Sequence, residues 1–481
     1  MVGAATGAWT ALDWLLLVER EFMAFAAFWF CVGLLDELAI DFAWIGLKLA
    51  GKARTARLPV GYGAEPLSGA VAVLIPAFRE SQVIGATIAH MVAAWPQRDL
   101  TIYVGCYRND PATLAAAMAA ASADSRVRLV TLAAAGPTTK ADCLNRLYRA
   151  MAADEDRQSR RIATILLHDA EDMVHPCALQ AIDAALMLRD FVQLPVRPEP
   201  QEHSRWIAGH YSDEFAESHA KGLVVRGALG AALPAAGVGC GFSRIALGAL
   251  AARRSAEGEA GPFAPECLTE DYELGLVMSN EGRGGAFLRL RDDAGALVAT
   301  RSYFPHRLNA AVRQKTRWVH GIAFQGWDRM GWSLHPIDIW MALRDGRGPL
   351  TALVLASAYL LLLLDALLLV LNLLGKADML TLSRPLQLQL MLLASFAGFV
   401  WRAGLRALFT TREYGWREGT LSVLRIPVAN VIAIMAGRRA LVAYFRSLQD
   451  GKVVWDKTVH EHHPATLASA RAAPALHAVQ S

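Results

Sequence analysis

The chain has 481 residues, six cysteines and a formal net charge of +4, with a mean hydropathy of +0.28. That length exceeds one small domain, the hydropathy is high for a soluble protein, and the charge is too small to point to nucleic acid as a partner. Cys31, Cys106, Cys143, Cys177, Cys240 and Cys267 lie far apart, with no CxxC pair and no histidine at zinc spacing. This argues against a disulfide framework and for reduced thiols, as in a cytoplasmic domain, with Cys240 and Cys267 expected as small buried filler.

The first apolar stretch covers residues 22–47 and is long enough to cross about 30 Å of hydrocarbon. Asp13 and Glu19 precede it instead of a basic cluster, and no small-residue cleavage site follows, so no cleavable signal peptide is expected. Asp36, Glu37 and Asp41 interrupt the stretch; carboxylates are costly in lipid and should face protein, water or headgroups. Lys48, Lys52, Arg54 and Arg57 follow at once, which places this end on the cytoplasmic side.

Between Pro66 and Arg301, short β-branched runs at 71–75, 101–104, 127–131, 162–167 and 191–194 alternate with alanine-rich helical stretches. Strand–helix alternation predicts an α/β domain, a mostly parallel sheet with helices on both faces. Ligands in such sheets sit beyond the carboxyl ends of the strands, where strand order reverses. Arg79-Glu80, Asn109-Asp110 and Asp169 fall at those ends. An isolated acid there is often only a helix cap; three in succession suggest a site.

In His168-Asp169-Ala170-Glu171-Asp172, carboxylates two apart at a strand end can ligate a hard divalent ion, Mg²⁺ or Mn²⁺, through oxygen. In Thr269-Glu270-Asp271, the threonine can cap a helix with acids in its first turn, while a desolvated carboxylate there could accept a proton. Arg317 can clamp diphosphate oxygens and Trp318 can stack on a sugar, though Gln314, Arg317 and Trp318 also suit an interfacial anchor. The glycines of 237–241 do not form a dinucleotide fingerprint; a plain turn explains them equally well.

Residues 350–374, with one acid at Asp365, and 386–409 read as two further spans joined by the connector 375–384. Arg402, Arg406, Arg412, Arg417 and Arg425 then mark a cytoplasmic stretch. Pro427, Asn430 and Arg438-Arg439 make 426–448 a poor span and a better amphipathic helix in the interface. Three spans are expected, four being the alternative, with the N-terminus outside and the middle domain and tail inside. The alanine- and histidine-containing residues 460–481 read as disordered, with His460, His462 and His463 solvated.

Several segments together carry a family resemblance: 73–80, 136–145, 168–172, 268–272, Tyr303-Phe304-Pro305, 313–318 and Trp455-Asp456-Lys457-Thr458. Their order resembles membrane-embedded family 2 glycosyltransferases, and within them the phage-adsorption protein B subfamily, over roughly residues 14–460. The resemblance implies a GT-A-like nucleotide-sugar-binding domain inserted between transmembrane helices, divided as 1–57 (N-terminal helix and basic flank), 66–305 (catalytic domain), 306–349 (interface helices), 350–448 (membrane helices) and 449–481 (tail). It implies Asp271 as the base, within Thr269-Glu270-Asp271, and Asp169, Glu171 and Asp172 as the metal site, Glu171 standing where the family usually has Asp. It further implies Pro76, Glu80, Asp110, Lys140 and Asp169 against the nucleotide sugar, and Gln314, Arg317 and Trp318 against acceptor and diphosphate.

The implied function is an inverting, metal-dependent transferase of a bacterial inner membrane. It would use a nucleotide-diphosphate sugar, a UDP-sugar being expected, and a glycan or lipid-linked acceptor, with membrane lipids around it and an outer-membrane export partner. Two alternatives stay open: a non-processive transferase acting on a polyprenyl phosphate, and a catalytically silent scaffold in phage adsorption. Many members of the subfamily carry a further domain of the type that binds cyclic dinucleotides; the residues after Thr458 do not resemble one, so no such regulation through this chain is expected.

Overall fold

The computed structural model describes residues 10–375, 384–450 and 463–465. Its centre is a seven-stranded sheet in the order Val127–Leu132, Leu100–Tyr107, Ala70–Pro76, Ile162–Leu167, Cys240–Ser243, Phe191–Gln193 and Gly285–Phe287. Every pairing is parallel except those of Cys240–Ser243, which runs against both neighbours. Side chains alternate across the central strand, as the two-residue period requires. Val71, Val73 and Ile75 pack on Ile84, Ile88, Trp95 and Ile182 on one face, while Ala72 and Leu74 pack on Leu144, Leu147, Met151 and Phe242 on the other. The five expected strands are present.

Cys240–Ser243 is a correction to the reading of the glycine run as a turn. Gly241 lies so close to Ile182 that a Cβ would collide with its side chain, so the strand lacks the β-branched signal that would announce it. Chain order reverses between Ala70–Pro76 and Ile162–Leu167, and the crevice beyond their carboxyl ends is where a ligand is expected.

Among the described residues, four helices are long and apolar enough to cross a membrane: Ala11–Leu49, Gly348–Leu373, Leu386–Tyr414 and Ile426–Gln449. The first begins eleven residues before the predicted stretch because Thr10 and Asp13 close a capping box at its start. Met23, Ala26 and Ala27 pack on Leu361 and Leu388, joining the first three helices. The acids that interrupt the apolar stretch of the first helix face protein, as lipid cost demands. Asp36 and Glu37 pair with Arg344 and Arg347, and Asp41 pairs with Lys221 and Arg402. Glu37, Asp41 and Glu217 come close enough to hold an ion, but Lys221 already sits among them.

The fourth helix is continuous across Pro427, which stands in its first turn where a proline is tolerated. It packs between the catalytic domain and the spanning helix Gly348–Leu373. Ile432 packs with Tyr211, Ala311 and Val312, Gly437 meets Ala352, and Tyr444 stacks on Phe324 and donates to Asp328 at 2.9 Å.

His460, His462 and the segment Trp455-Asp456-Lys457-Thr458 lie outside the described residues. His463 departs from the expectation of solvent exposure: it is buried, and its Nε2 lies 3.2 Å from the Asp172 carbonyl oxygen. A single residue in a polar tail gives no sequence signal of such a long-range contact.

Candidate active site

A cavity of about 460 Å³ opens at the reversal point, well within the size range of small-ligand sites. Its lining brings together Pro76, Phe78, Glu80, Tyr107 and Thr138 with Phe215, His219, Phe304 and Trp318, and with Lys140, Asp169, Glu171, Asp172, Thr269, Glu270, Asp271, Gln314 and Arg317. Twelve of the thirteen singled-out residues therefore line one cavity.

The thirteenth, Asp110, does not line it. It caps the helix Pro111–Ala121 by accepting from the Thr113 N–H, and it accepts from the Arg79 N–H at 2.5 Å. Arg79 holds a left-handed backbone at φ 55°, a conformation costly for a residue with a side chain. Asp110 thus shapes the loop that carries Glu80.

Lys140 is placed by a capping box, Thr139 with Asp142, that starts the helix Lys140–Gln158 at the cavity. Its Nζ lies 2.5 Å from Asp169 Oδ1 and 3.4 Å from the Gly237 carbonyl oxygen. Burial opposes its charge, but the carboxylates of Asp169, Glu270 and Asp271 prevail and raise its pKa. Asp169 follows the strand Ile162–Leu167 directly, in the turn that the resemblance identified.

Asp172 is fully buried, accepting from His168 Nδ1 and the Asp169 N–H, both at 2.9 Å. Its carboxyl is pushed up by burial, against the pull of His168, and its Oδ1 has no hydrogen-bond partner among the described residues. Asp169 and Glu171 face the cavity. An all-oxygen carboxylate set with one orphaned oxygen fits a hard divalent cation.

Thr269 stands at the N-cap position of the helix Glu270–Asn280, but its side chain makes no capping bond. Instead it packs against Gly321, where a Cβ would lie 2.5 Å from Thr269 Oγ1. This corrects the sequence expectation of a threonine cap. Asp271 is held up by burial, with Lys140 opposing, and Glu270 is pushed up to about 8 by burial and the neighbouring Asp271. Gly237, at φ 73°, lets its backbone approach both partners: a Cβ would overlap Asp271 Oδ2 and lie 3.1 Å from Lys140 Nζ.

Arg317 and Trp318 come from the helix Leu308–Val319. The charge of Arg317 acts on both Glu270 and Asp271. Trp318 meets Tyr211 edge-on at 6.1 Å, and Lys315 Nζ lies 5.0 Å from the Trp318 ring centre. Gln314 Oε1 is buried without a hydrogen-bond partner among the described residues, so it is open to a ligand group.

The sequence gives no sign of Gln193, whose amide binds the Leu194 and Val238 carbonyl oxygens at 2.7 and 3.0 Å and accepts from the Ala236 N–H at 2.8 Å, fixing the loop before Gly239. Phe215 and His219 were equally silent. They reach the wall because the chain passes through a π-helical turn at Ser218–Gly222, a local feature often found at functional sites.

The sequence profile described as "Glycosyltransferase like family 2" matches residues 68–321. The chain belongs to that family. It is a glycosyltransferase by family, and the matched region holds every residue of the cavity named above. Two Escherichia coli proteins, Bacteriophage adsorption protein B and Bacteriophage N4 adsorption protein B, are each 32% identical to it over 486 residues, covering 95% of this chain and 65% of the relative. The chain therefore spans about two thirds of the length of those relatives.

Among solved structures, the mannosyltransferase PcManGT from Pyrobaculum calidifontis, in complex with GDP-Man and Mn²⁺, aligns with a TM-score of 0.44 and 14% identity, covering 85% of this chain and 98% of that one. Glucosyl-3-phosphoglycerate synthase from Mycobacterium tuberculosis, with Mn²⁺ and UDP-glucose, aligns with a TM-score of 0.32 and 16% identity, covering 59% and 84%. Scores at that level carry no weight for function.

Proposed function

We propose that this glycosyltransferase is inverting and metal-dependent, acts at the cytoplasmic face of a bacterial inner membrane, and moves a sugar from a nucleotide diphosphate onto a growing surface or secreted glycan. The observation that carries the reading is Lys140, an ammonium bracketed by Asp169 and Asp271 inside one cavity. It supports a diphosphate group lying between a metal-type carboxylate turn and a buried base.

In this reading residues 66–305 bind the donor, 306–349 present Gln314, Arg317 and Trp318 to the acceptor and diphosphate, and the rest embeds and closes the unit. The nucleotide would lie against Pro76, Glu80 and Tyr107. Asp169 and Glu171, with Asp172 behind them, would hold Mg²⁺ or Mn²⁺, which neutralises diphosphate charge when bound.

The acceptor hydroxyl oxygen attacks the anomeric carbon from the side opposite the diphosphate. As the new C–O bond forms, the bond to the leaving phosphate oxygen breaks and the proton passes to Asp271. Lys140 and Arg317 offset the charge left on the diphosphate. Trp318 and Phe304 offer flat apolar faces to a sugar ring, and Glu270, carrying its own proton, adds no second negative charge beside the base.

The basic flanks, Lys48 to Arg57 and Arg402 to Arg425, support the cytoplasmic orientation. Three helices would span; Ile426–Asp450, lying along the catalytic domain, would rest in the interface. Resemblance to the adsorption proteins supports an outer-membrane export partner.

The test is nucleotide diphosphate release from a panel of nucleotide sugars by detergent-purified protein, with Mg²⁺ or Mn²⁺ and with chelator, beside Asp271→Asn. Release that needs metal and is lost in Asp271→Asn supports the reading; undiminished release in Asp271→Asn ends it. Product length on a gel distinguishes glycan elongation from transfer of one sugar to polyprenyl phosphate.

A further inference from the structure

The first turn of the helix Glu270–Asn280 has no side-chain cap, because Thr269 is turned away. Its N–H groups are the orphans of any helix start, and this turn bears the base. Tyr272 N–H donates to Asp271 Oδ1 at 2.9 Å, so the place of Tyr272 sets the place of the Asp271 carboxylate. What holds Tyr272 lies far away in sequence. Its hydroxyl donates to Asp345 Oδ2 at 2.8 Å, and the same oxygen accepts from Arg226 Nη1 at 2.7 Å.

Asp345 belongs to the helix Pro336–Gly346, beyond the part of the chain that the family profile matches. That helix is gripped on both sides. Arg344 and, just past its end, Arg347 pair with Asp36 and Glu37 of the N-terminal helix, and Trp340 Nε1 donates to Asp36 Oδ1 at 2.7 Å. On the catalytic side, Asp338 accepts from the Ala232 N–H at 2.9 Å, while Asp345 takes Tyr272 and Arg226.

We propose that Asp345 is a positioning residue: through Tyr272 it fixes the Asp271 carboxylate, and through its own helix it ties that geometry to the seating of the catalytic domain on the N-terminal membrane helix. The inference rests on Asp271 being the base. A carboxylate accepting from a phenol and a guanidinium makes charge-assisted bonds that lock both donors, and it supplies from outside the restraint that a missing cap would have given from within. Tyr272 and Asp345 both line the cavity, but the role proposed for them acts through Asp271.

The test compares Asp345→Asn, Tyr272→Phe and the double variant with wild type in donor turnover, with nucleotide diphosphate binding measured by calorimetry. Displacing a base by a fraction of an ångström to an ångström should lower kcat about 10- to 100-fold. Donor KM and nucleotide affinity should stay near wild type, since Pro76, Glu80 and Tyr107, placed against the nucleotide, are left unchanged. The double variant should be no worse than either single one, because both cut the same chain of contacts.

Tyr272→Phe removes one hydroxyl and leaves the Arg226–Asp345 pair, so it remains informative should Asp345→Asn fold poorly. Unchanged kcat in Tyr272→Phe, or multiplying losses in the double variant, would overturn the proposal. Asp271→Asn runs alongside: if it stays active, the base assignment is at fault; if it is dead while Tyr272→Phe is fully active, only the positioning role fails.

Discussion

At the residue scale the site is a problem of charge density. Asp169, Glu270 and Asp271 converge on one ammonium, Lys140, and burial raises the cost of each negative charge. The outcome is a split in which Glu270 holds its proton to about 8. A folded Glu270 therefore stays protonated where an unfolded one, with a pKa of 4.5, has ionised.

Between those two values the folded state binds the extra proton, so stability should fall as pH rises through that window. Glu270→Gln should remove the slope, and thermal melts from pH 5 to pH 8 would show it. Transfer should fail on acidification at a pH above the ordinary carboxylate range, because Asp271 is itself raised; a rate profile that stays flat down to pH 4 would contradict this. Gly237→Ala should cost about 1–2 kcal/mol for its left-handed backbone and push Asp271 off Lys140, lowering kcat far more than the melting temperature.

The carboxylates and Lys140 were legible as letters in the sequence. The Asp110 cap, three residues before Thr113 and followed by Pro111, was legible too; that Asp345 braces Tyr272 was not, since that pair has no spacing that helix or strand periodicity would flag.

At the element scale, the fold depends on joints between the catalytic domain and the helices around it. Arg425 is fully buried, donating to Asp213 at 2.6 and 2.8 Å and to Glu418 at 2.6 Å. Gly209 lies under it, where a Cβ would sit about one bond length too close to the guanidinium. Arg406 joins the same carboxylate at 3.1 Å.

Removing one partner leaves buried charge uncompensated, which costs about 3–5 kcal/mol. Asp213→Ala should accordingly lower the melting temperature in detergent sharply; an unchanged melt would show the pair to be dispensable. Arg425 read in sequence only as one more cytoplasmic cation. The strands of the parallel half were legible because each is a β-branched run; Cys240–Ser243 was not, because packing against Ile182 requires glycine where a strand signal would stand.

At the scale of the whole molecule, the last long helix has two kinds of neighbour. Its hydropathy suits a span; its side chains meet Ala352 and Tyr359 of the helix Gly348–Leu373 and also Tyr211, Val312, Phe324 and Asp328 of the catalytic side. His463 agrees: it lies against Asp172 of the catalytic domain, on the side a fourth crossing would have left. Gly375→Cys, at the end of the second spanning helix, should react with an impermeant maleimide in intact cells, while Ser447→Cys should react only after permeabilisation. Outside labelling of Ser447→Cys would make the fourth helix a span.

By itself the sequence determined the α/β class, the order of the acid clusters, the basic flanks and the apolar stretches, because local periodicity and charge fix these without reference to partners. Only the tertiary structure decided which acids meet Lys140, what the last long helix packs against, and how Asp345 reaches Tyr272. Those depend on contacts between residues tens to hundreds of positions apart, where burial and the need to pair buried charge select the partner.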